Sequence, residues 1–145
     1  MIYYQTYAQR MMLQPGDVVI APKSKFGIID HYLVYRGIDT YGQEIYIEND
    51  YWNGVRQITG TYFAANNPLA SVRRLSGNEA ERYWACVRAD SLLTAKYDLK
   101  RFNCESFANF VQYGIAFSTQ VNIADGNFIT WLVLGAATSV QRALR

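Results

Sequence analysis

The segment Asn103-Cys104-Glu105-Ser106-Phe107-Ala108-Asn109-Phe110-Val111-Gln112-Tyr113-Gly114 restricts this chain more than any other. Cys104, Phe107, Ala108 and Val111 recur at helical spacing on one face, Asn103 suits an N-cap, and Gly114 stands where a helix stops. Cys104 then falls in the first turn, among backbone N–H groups that have no partner within the helix. Those groups and the positive end of the helix dipole favour thiolate over thiol, and the thiolate is the species that attacks a carbonyl. The other fate open to Cys104 is that of a small buried apolar residue.

The chain's single histidine lies far upstream. Gly16-Asp17-Val18-Val19-Ile20-Ala21 and Ile28-Ile29-Asp30-His31-Tyr32-Leu33-Val34-Tyr35-Arg36-Gly37 read as two short strands joined by a polar turn through Lys23-Ser24-Lys25-Phe26-Gly27. Alternation puts His31, Leu33 and Tyr35 on one face of the second strand and Tyr32, Val34 and Arg36 on the other. His31 takes the proton of Cys104 if the cysteine helix packs against that first face. A histidine here can equally be a hydrogen-bonded structural residue.

Leu13-Gln14-Pro15-Gly16-Asp17-Val18-Val19, then His31-Tyr32-Leu33-Val34-Tyr35-Arg36-Gly37, then Asn103-Cys104-Glu105-Ser106-Phe107 with Tyr113-Gly114, resembles the lecithin retinol acyltransferase family in order and spacing over residues 13–114. The resemblance implies a circularly permuted papain-like fold of the NlpC type, with the histidine strand ahead of the cysteine helix, and it implies Cys104 as nucleophile and His31 as base. Two departures stand out. Ser106 occupies a position where the family usually has histidine, and the further histidine that active members carry on the next strand is missing. In its place runs Glu44-Ile45-Tyr46-Ile47-Glu48-Asn49-Asp50. Matching Ile45-Tyr46-Ile47 to the family's apolar run puts Glu48 at the missing position and Asn49 one residue beyond. A carboxylate or an amide can each orient an imidazole and fix its tautomer. Alternatively, Glu48, Asn49 and Asp50 simply end an exposed strand before a turn.

The rest of the chain reads as one α+β domain over residues 1–125, an antiparallel sheet with helices packed at one side. At 145 residues, half of them hydrophobic, it can bury a core, and no linker, repeat or low-complexity tract divides it. Val55-Arg56-Gln57-Ile58 and Ala70-Ser71-Val72-Arg73-Arg74-Leu75 look like further strands, with Arg73-Arg74 in a solvated stretch. Ser76-Gly77-Asn78-Glu79 reads as a capping box for a helix over residues 78–93, whose Ala80, Tyr83, Trp84 and Val87 form a core-facing stripe. Cys86 lies inside that helix as a core residue.

A net charge of +2 with scattered basic residues argues against a nucleic-acid partner. Two cysteines and one histidine are too few for a zinc site or a disulfide framework, and no phosphate-binding glycine loop is present, so no metal or cofactor is expected. The opening Met1-Ile2-Tyr3-Tyr4-Gln5-Thr6-Tyr7 lacks the regions of a signal peptide, which leads us to expect a reducing cytosol. Residues 126–145 form an apolar C-terminal segment that is uncharged from Gly126 to Gln141. As a helix it falls short of the ~20 apolar residues of a bilayer span, so it is expected to be buried in the core or against a partner, or else to lie at a membrane surface.

The chemistry expected is acyl transfer through an acyl-Cys104 thioester, with His31 as base and then acid and Glu48 or Asn49 holding the imidazole. By resemblance the donor is a phospholipid acyl chain, passed to water or another acceptor. The alternatives are NlpC-type cleavage of an amide by the same thiol, and a noncatalytic interaction module that keeps the fold.

Overall fold

The computed structural model describes residues 4–22, 30–67 and 70–120. The expected apolar helix of residues 126–145 and the polar turn between the first two strands lie outside the described residues. The elements run α1 (Tyr7–Met11), β1 (Val18–Pro22), β2 (Asp30–Ile38), β3 (Glu44–Asp50), β4 (Gly54–Thr59), α2 (Gly60–Asn66), β5 (Ser71–Arg73), α3 (Glu79–Ser91) and α4 (Cys104–Tyr113). The strands form one antiparallel sheet in the order β4-β3-β2-β1-β5, so the fold is α+β.

Strand alternation divides the core into two layers. Val18, Tyr32, Val34 and Ile47 pack beneath α3 and α4 with Ala85, Ala89, Phe107, Ala108 and Val111. Val19, Ala21, Leu33, Tyr35, Tyr46 and Ile58 pack on the opposite face with Ala8 of α1 and Phe63 of α2. Helices therefore cover both faces, and the expectation of helices at one side is corrected. The second layer closes around Tyr46, whose ring stacks on Phe63 at 4.3 Å between centroids. Its two helices, of 5 and 7 residues, are capped by Thr6 and Thr59, whose side chains accept N–H bonds from Gln9 and Tyr62.

Helix α3 begins two residues later than its apparent signal. Its N-cap is Asn78 and its capping box pairs Asn78 with Glu81, not Ser76 with Glu79. The stripe expected in the core also faces outward: Tyr83 and Trp84 are 63% and 57% exposed, while Ala85, Cys86 and Ala89 are buried. Small side chains form the contact with α4, which leaves the two large rings on the flanks. From α3, the Arg88 guanidinium donates to the Val111 carbonyl at 2.8 and 2.6 Å, near the negative end of α4.

Arg73 and Arg74 are structural rather than merely solvated. Asp17, fully buried, accepts from Arg74 at 3.1 Å and Arg82 at 2.9 Å, and from the backbone N–H groups of Gln14 and Leu75. Burial pushes its carboxyl up, but these four donors outweigh burial and hold it below the ordinary aspartate value. Arg73 Nε donates to Gln112 Oε1 at 2.7 Å, tying β5 to α4.

At the other side of the sheet, β4 starts on Gly54 at φ +68°, where an added Cβ would stand 2.2 Å from the Ala95 carbonyl oxygen. Val55 N–H donates to that oxygen at 2.8 Å, and Thr94 N–H donates to the Val55 carbonyl at 2.9 Å. These contacts fasten the stretch that follows α3 to the sheet. It then leads directly into α4.

Candidate active site

The entry to α4 is fixed from three directions. Asn103 Oδ1 accepts the Ser106 N–H at 2.9 Å as N-cap, and Asn103 Nδ2 donates to the Leu99 carbonyl at 3.2 Å. Asp98 and Phe102 exchange backbone hydrogen bonds at 3.0 and 2.8 Å. Asn49 Nδ2 donates to the Phe102 carbonyl at 2.7 Å. Asn49 therefore anchors the backbone two residues before Cys104, its amide nitrogen hydrogen-bonded to that carbonyl and not to the imidazole. Gly114, at φ +74°, ends the helix as its spacing predicts.

The Cys104 sulfhydryl donates to the Asp30 carbonyl at 3.6 Å, and the backbone N–H groups of Tyr32, Glu105 and Cys104 itself favour charge on the sulfur. Burial outweighs them. With Cys104 only 8% exposed, the thiol is pushed above its ordinary value, and the Glu105 carboxylate adds to the rise. The thiolate expected from the helix terminus is thus corrected for the resting state. A helix dipole acts locally and is legible in sequence, whereas desolvation depends on what tertiary packing lays over the sulfur.

His31 and Glu48 are both buried, with Nε2 and Oε2 2.6 Å apart. The second carboxylate oxygen accepts from Arg56 Nε at 2.9 Å and Nη2 at 2.8 Å. Strand register explains the cluster. Leu33 stands opposite Glu48, and Glu48 stands opposite Arg56, so both carboxylate partners fall on the face that His31 shares with Leu33. Burial pushes the Glu48 carboxyl up, but His31 and Arg56 together hold it below the ordinary glutamate value. With Nε2 engaged by an acceptor, Nδ1 is the ring nitrogen left to take a proton.

His31 shares its face with Leu33 and Tyr35 as alternation predicts, but α4 packs on the other face, against Tyr32 and Val34. The sulfur meets β2 at its open end, where the pairing with β3 runs no further than Leu33–Glu48. There it lies against the Asp30 carbonyl and the Tyr32 N–H, the peptide groups on either side of His31 along the strand. Among the described residues the sulfur's hydrogen-bond acceptor is this backbone carbonyl and not the imidazole.

Three residues of the site escaped the sequence reading. Arg56 had a signal, because opposite charges at positions 48 and 56 face each other in a hairpin whose turn is centred on residue 52. Glu105 and Gln120 had none. The Glu105 carboxylate, buried in the first turn of α4, accepts from Ser118 Oγ at 2.6 Å, Thr119 Oγ1 at 2.5 Å and Gln120 N–H at 3.0 Å. Gln120 in turn reaches Asp30: its Oε1 accepts the Asp30 N–H at 3.0 Å and its Nε2 donates to the Asp30 carbonyl at 3.4 Å.

Among the described residues, no group of three or more histidine, cysteine, aspartate or glutamate side chains is placed to hold a metal ion, and no helix is long and apolar enough to cross a membrane. Compared with protein-family models, with curated proteins and with solved structures, the chain matches none.

Proposed function

We propose that this chain is a thiol-dependent acyltransferase or hydrolase, built as a circularly permuted papain-like (NlpC-type) domain of the lecithin retinol acyltransferase kind. One observation carries the reading: the Cys104 sulfur, at the head of a buried helix, rests on the two peptide groups that flank His31, while the His31 ring is held by a buried, Arg56-paired carboxylate. Glu48 accepts the Nε2–H, which fixes the tautomer with its lone pair at Nδ1, and Arg56 keeps Glu48 ionised.

In the proposed reaction, which requires the imidazole to reach the sulfur round the end of β2 from the opposite face, His31 Nδ1 removes the sulfhydryl proton and the sulfur pair forms a bond to the acyl carbonyl carbon, whose π pair moves onto oxygen. The oxyanion collapses and expels the alcohol oxygen, which leaves with the proton from the imidazolium. The product is an acyl-Cys104 thioester. Water or an acceptor alcohol, deprotonated by His31, then displaces Sγ, and the thiol is regenerated. The substrate class is an acyl ester, with a phospholipid acyl chain as donor by family resemblance.

A second reading, a noncatalytic module on the same fold, is favoured by the sulfur's engagement with a backbone carbonyl and by its raised thiol. Mass measurement of the intact chain after incubation with phosphatidylcholine vesicles separates the two. An adduct of acyl-chain mass on Cys104, lost in His31→Ala, supports the enzyme. No adduct and no fatty acid released supports the module.

A further inference from the structure

We propose that the tip of the β3–β4 hairpin and the neighbouring loop over residues 96–101 form a docking surface for a membrane that carries anionic lipid headgroups. Tyr51, Trp52 and Asn53 make the turn between Asp50 and Gly54, whose pairing closes the hairpin. Leu99, Lys100 and Arg101 make a second turn, closed by the backbone pair of Asp98 and Phe102. Both turns hold apolar side chains out in solvent: Trp52 is 85% exposed, Leu99 59% and Tyr51 58%.

Contacts between the rings join the two turns into one platform. The Tyr51 ring meets Trp52 at 4.8 Å and Tyr97 at 5.3 Å between centroids, edge to face in both cases. Behind the rings, the Val55 N–H on the Ala95 carbonyl and the Asn49 amide on the Phe102 carbonyl fasten the loop to the sheet at both its ends. Charge is sorted on the same surface. Asp50 accepts the Trp52 and Asn53 N–H groups at 3.2 and 3.1 Å, and Asp98 accepts those of Lys100 and Arg101 at 3.0 and 2.8 Å. Each turn's carboxylate is thereby drawn back onto its own backbone. Lys96 and Arg101 are exposed, and among the described residues neither takes part in an ion pair.

This is the chemistry that meets a bilayer surface. Tryptophan and tyrosine rings settle at headgroup depth, a leucine reaches the acyl boundary, and lysine and arginine attract anionic headgroups. A protein partner fits less well, because two turns of three residues fall short of the about 20–30 residues that a stable protein interface presents on each side. The position of the platform also matters. Strands β2 and β3 are antiparallel, so the hairpin tip stands at the end of the sheet where β2 begins and where the Cys104 sulfur meets the Asp30 carbonyl. Docking through Trp52 and Leu99 turns that end of the molecule toward lipid. The inference rests on exposure and charge and does not depend on the acyl-transfer reading.

The test uses the full chain, whose three tryptophans are Trp52, Trp84 and Trp131. Trp84→Phe with Trp131→Phe leaves only Trp52 to fluoresce, and Trp52→Phe with Trp84→Phe leaves only Trp131. Each form is mixed with vesicles of phosphatidylserine and phosphatidylcholine, the latter brominated in its acyl chains. Emission from Trp52 is expected to move to shorter wavelength and to be quenched. In co-sedimentation with the same lipids unbrominated, Lys96→Gln with Arg101→Gln in the otherwise wild-type chain is expected to weaken partitioning about 30-fold. Unchanged Trp52 emission overturns the proposal, and quenching of Trp131 alone assigns the contact to the C-terminal segment instead. Equal partitioning onto vesicles with and without phosphatidylserine overturns it too, as does a Trp52 shift that grows with protein concentration when no vesicles are present, the mark of a second copy on the tip. Since nothing here is read from turnover, a chain that docks through Trp52 but never acylates Cys104 keeps the docking surface and loses the acyl-transfer reading.

Discussion

His31 Nε2 and Glu48 Oε2 lie 2.6 Å apart across neighbouring strands, and the far oxygen of the same carboxylate carries Arg56. The three side chains form a row across β2, β3 and β4. Their order places a permanent cation at the outer end, 32% exposed, and the buried ring at the inner end, on the central strand β2. The imidazole and the guanidinium together keep that carboxylate charged despite burial.

Replacing Glu48 should therefore cost both fold and chemistry. Removing one member of a fully buried ion pair costs ~3–5 kcal/mol; because Arg56 can be solvated when freed, Glu48→Gln is expected to lose about 2 kcal/mol in urea unfolding. Acylation of Cys104 should slow about 100-fold in the same variant, since the ring loses the acceptor that fixes its tautomer. Asn49→Ala should destabilise the chain without that selective effect, because Asn49 holds the Phe102 carbonyl instead. Equal effects of the two substitutions on acylation, corrected for folding, would remove Glu48 from the role.

How far the sequence shows this site follows from the range of each interaction. The caps of α4 and the strand carrying His31 are written in local spacing and were legible, whereas Glu48 stood out only through the family resemblance. Choosing between Glu48 and Asn49 was not legible, because adjacent strand residues face opposite sides and only the Leu33–Glu48 register says which side His31 occupies. Helices α1 and α2 are too short to show a period, and their stability comes from packing Ala8 and Phe63 against the sheet. The outward turn of Tyr83 and Trp84, the partners of Arg74 and the burial of the thiol all depend on contacts between segments distant in the chain.

Acid should unfold the protein through two buried carboxylates. Asp17 and Glu48 titrate below their ordinary values of 3.8 and 4.5 when folded. The unfolded chain therefore binds more protons in the window below those values, and stability falls as pH drops through the folded values. Both contributions are complete at neutral pH. Thermal melts taken from neutral pH down to about pH 2 should show this loss, and Asp17→Asn should start lower and decline less steeply. A melting temperature unchanged between pH 5 and pH 3 would show that neither carboxylate is held down.

Gly54 offers a test of how the β3–β4 hairpin positions the chain leading to α4. At φ +68° a side chain is strained, and its Cβ would meet the Ala95 carbonyl oxygen that receives the Val55 N–H. Backbone and contact must both yield, so Gly54→Ala is expected to cost about 2–3 kcal/mol in chemical denaturation. A substitution that left stability within about 0.5 kcal/mol of wild type would mean that this contact opens freely.

The thiol supplies the last prediction. Burial raises Cys104 above the ordinary thiol value of 9.0, and Cys86, buried in α3, is raised for the same first cause. In the unliganded protein, alkylation of Cys104 followed by peptide mapping should therefore have its pH midpoint above 9.0. A thiol raised on folding contributes stability that is whole below its unfolded value and is lost as pH rises through the folded one, so the chain should also weaken in this alkaline range. His31→Ala should leave the alkylation midpoint in place, because the sulfhydryl donates to the Asp30 carbonyl and not to the ring. The same variant should abolish acylation by an ester, where the ring must take the proton as the S–C bond forms. An alkylation midpoint near neutrality that moves upward in His31→Ala would establish a resting thiolate–imidazolium pair in place of the protonated, carbonyl-bound sulfur described here.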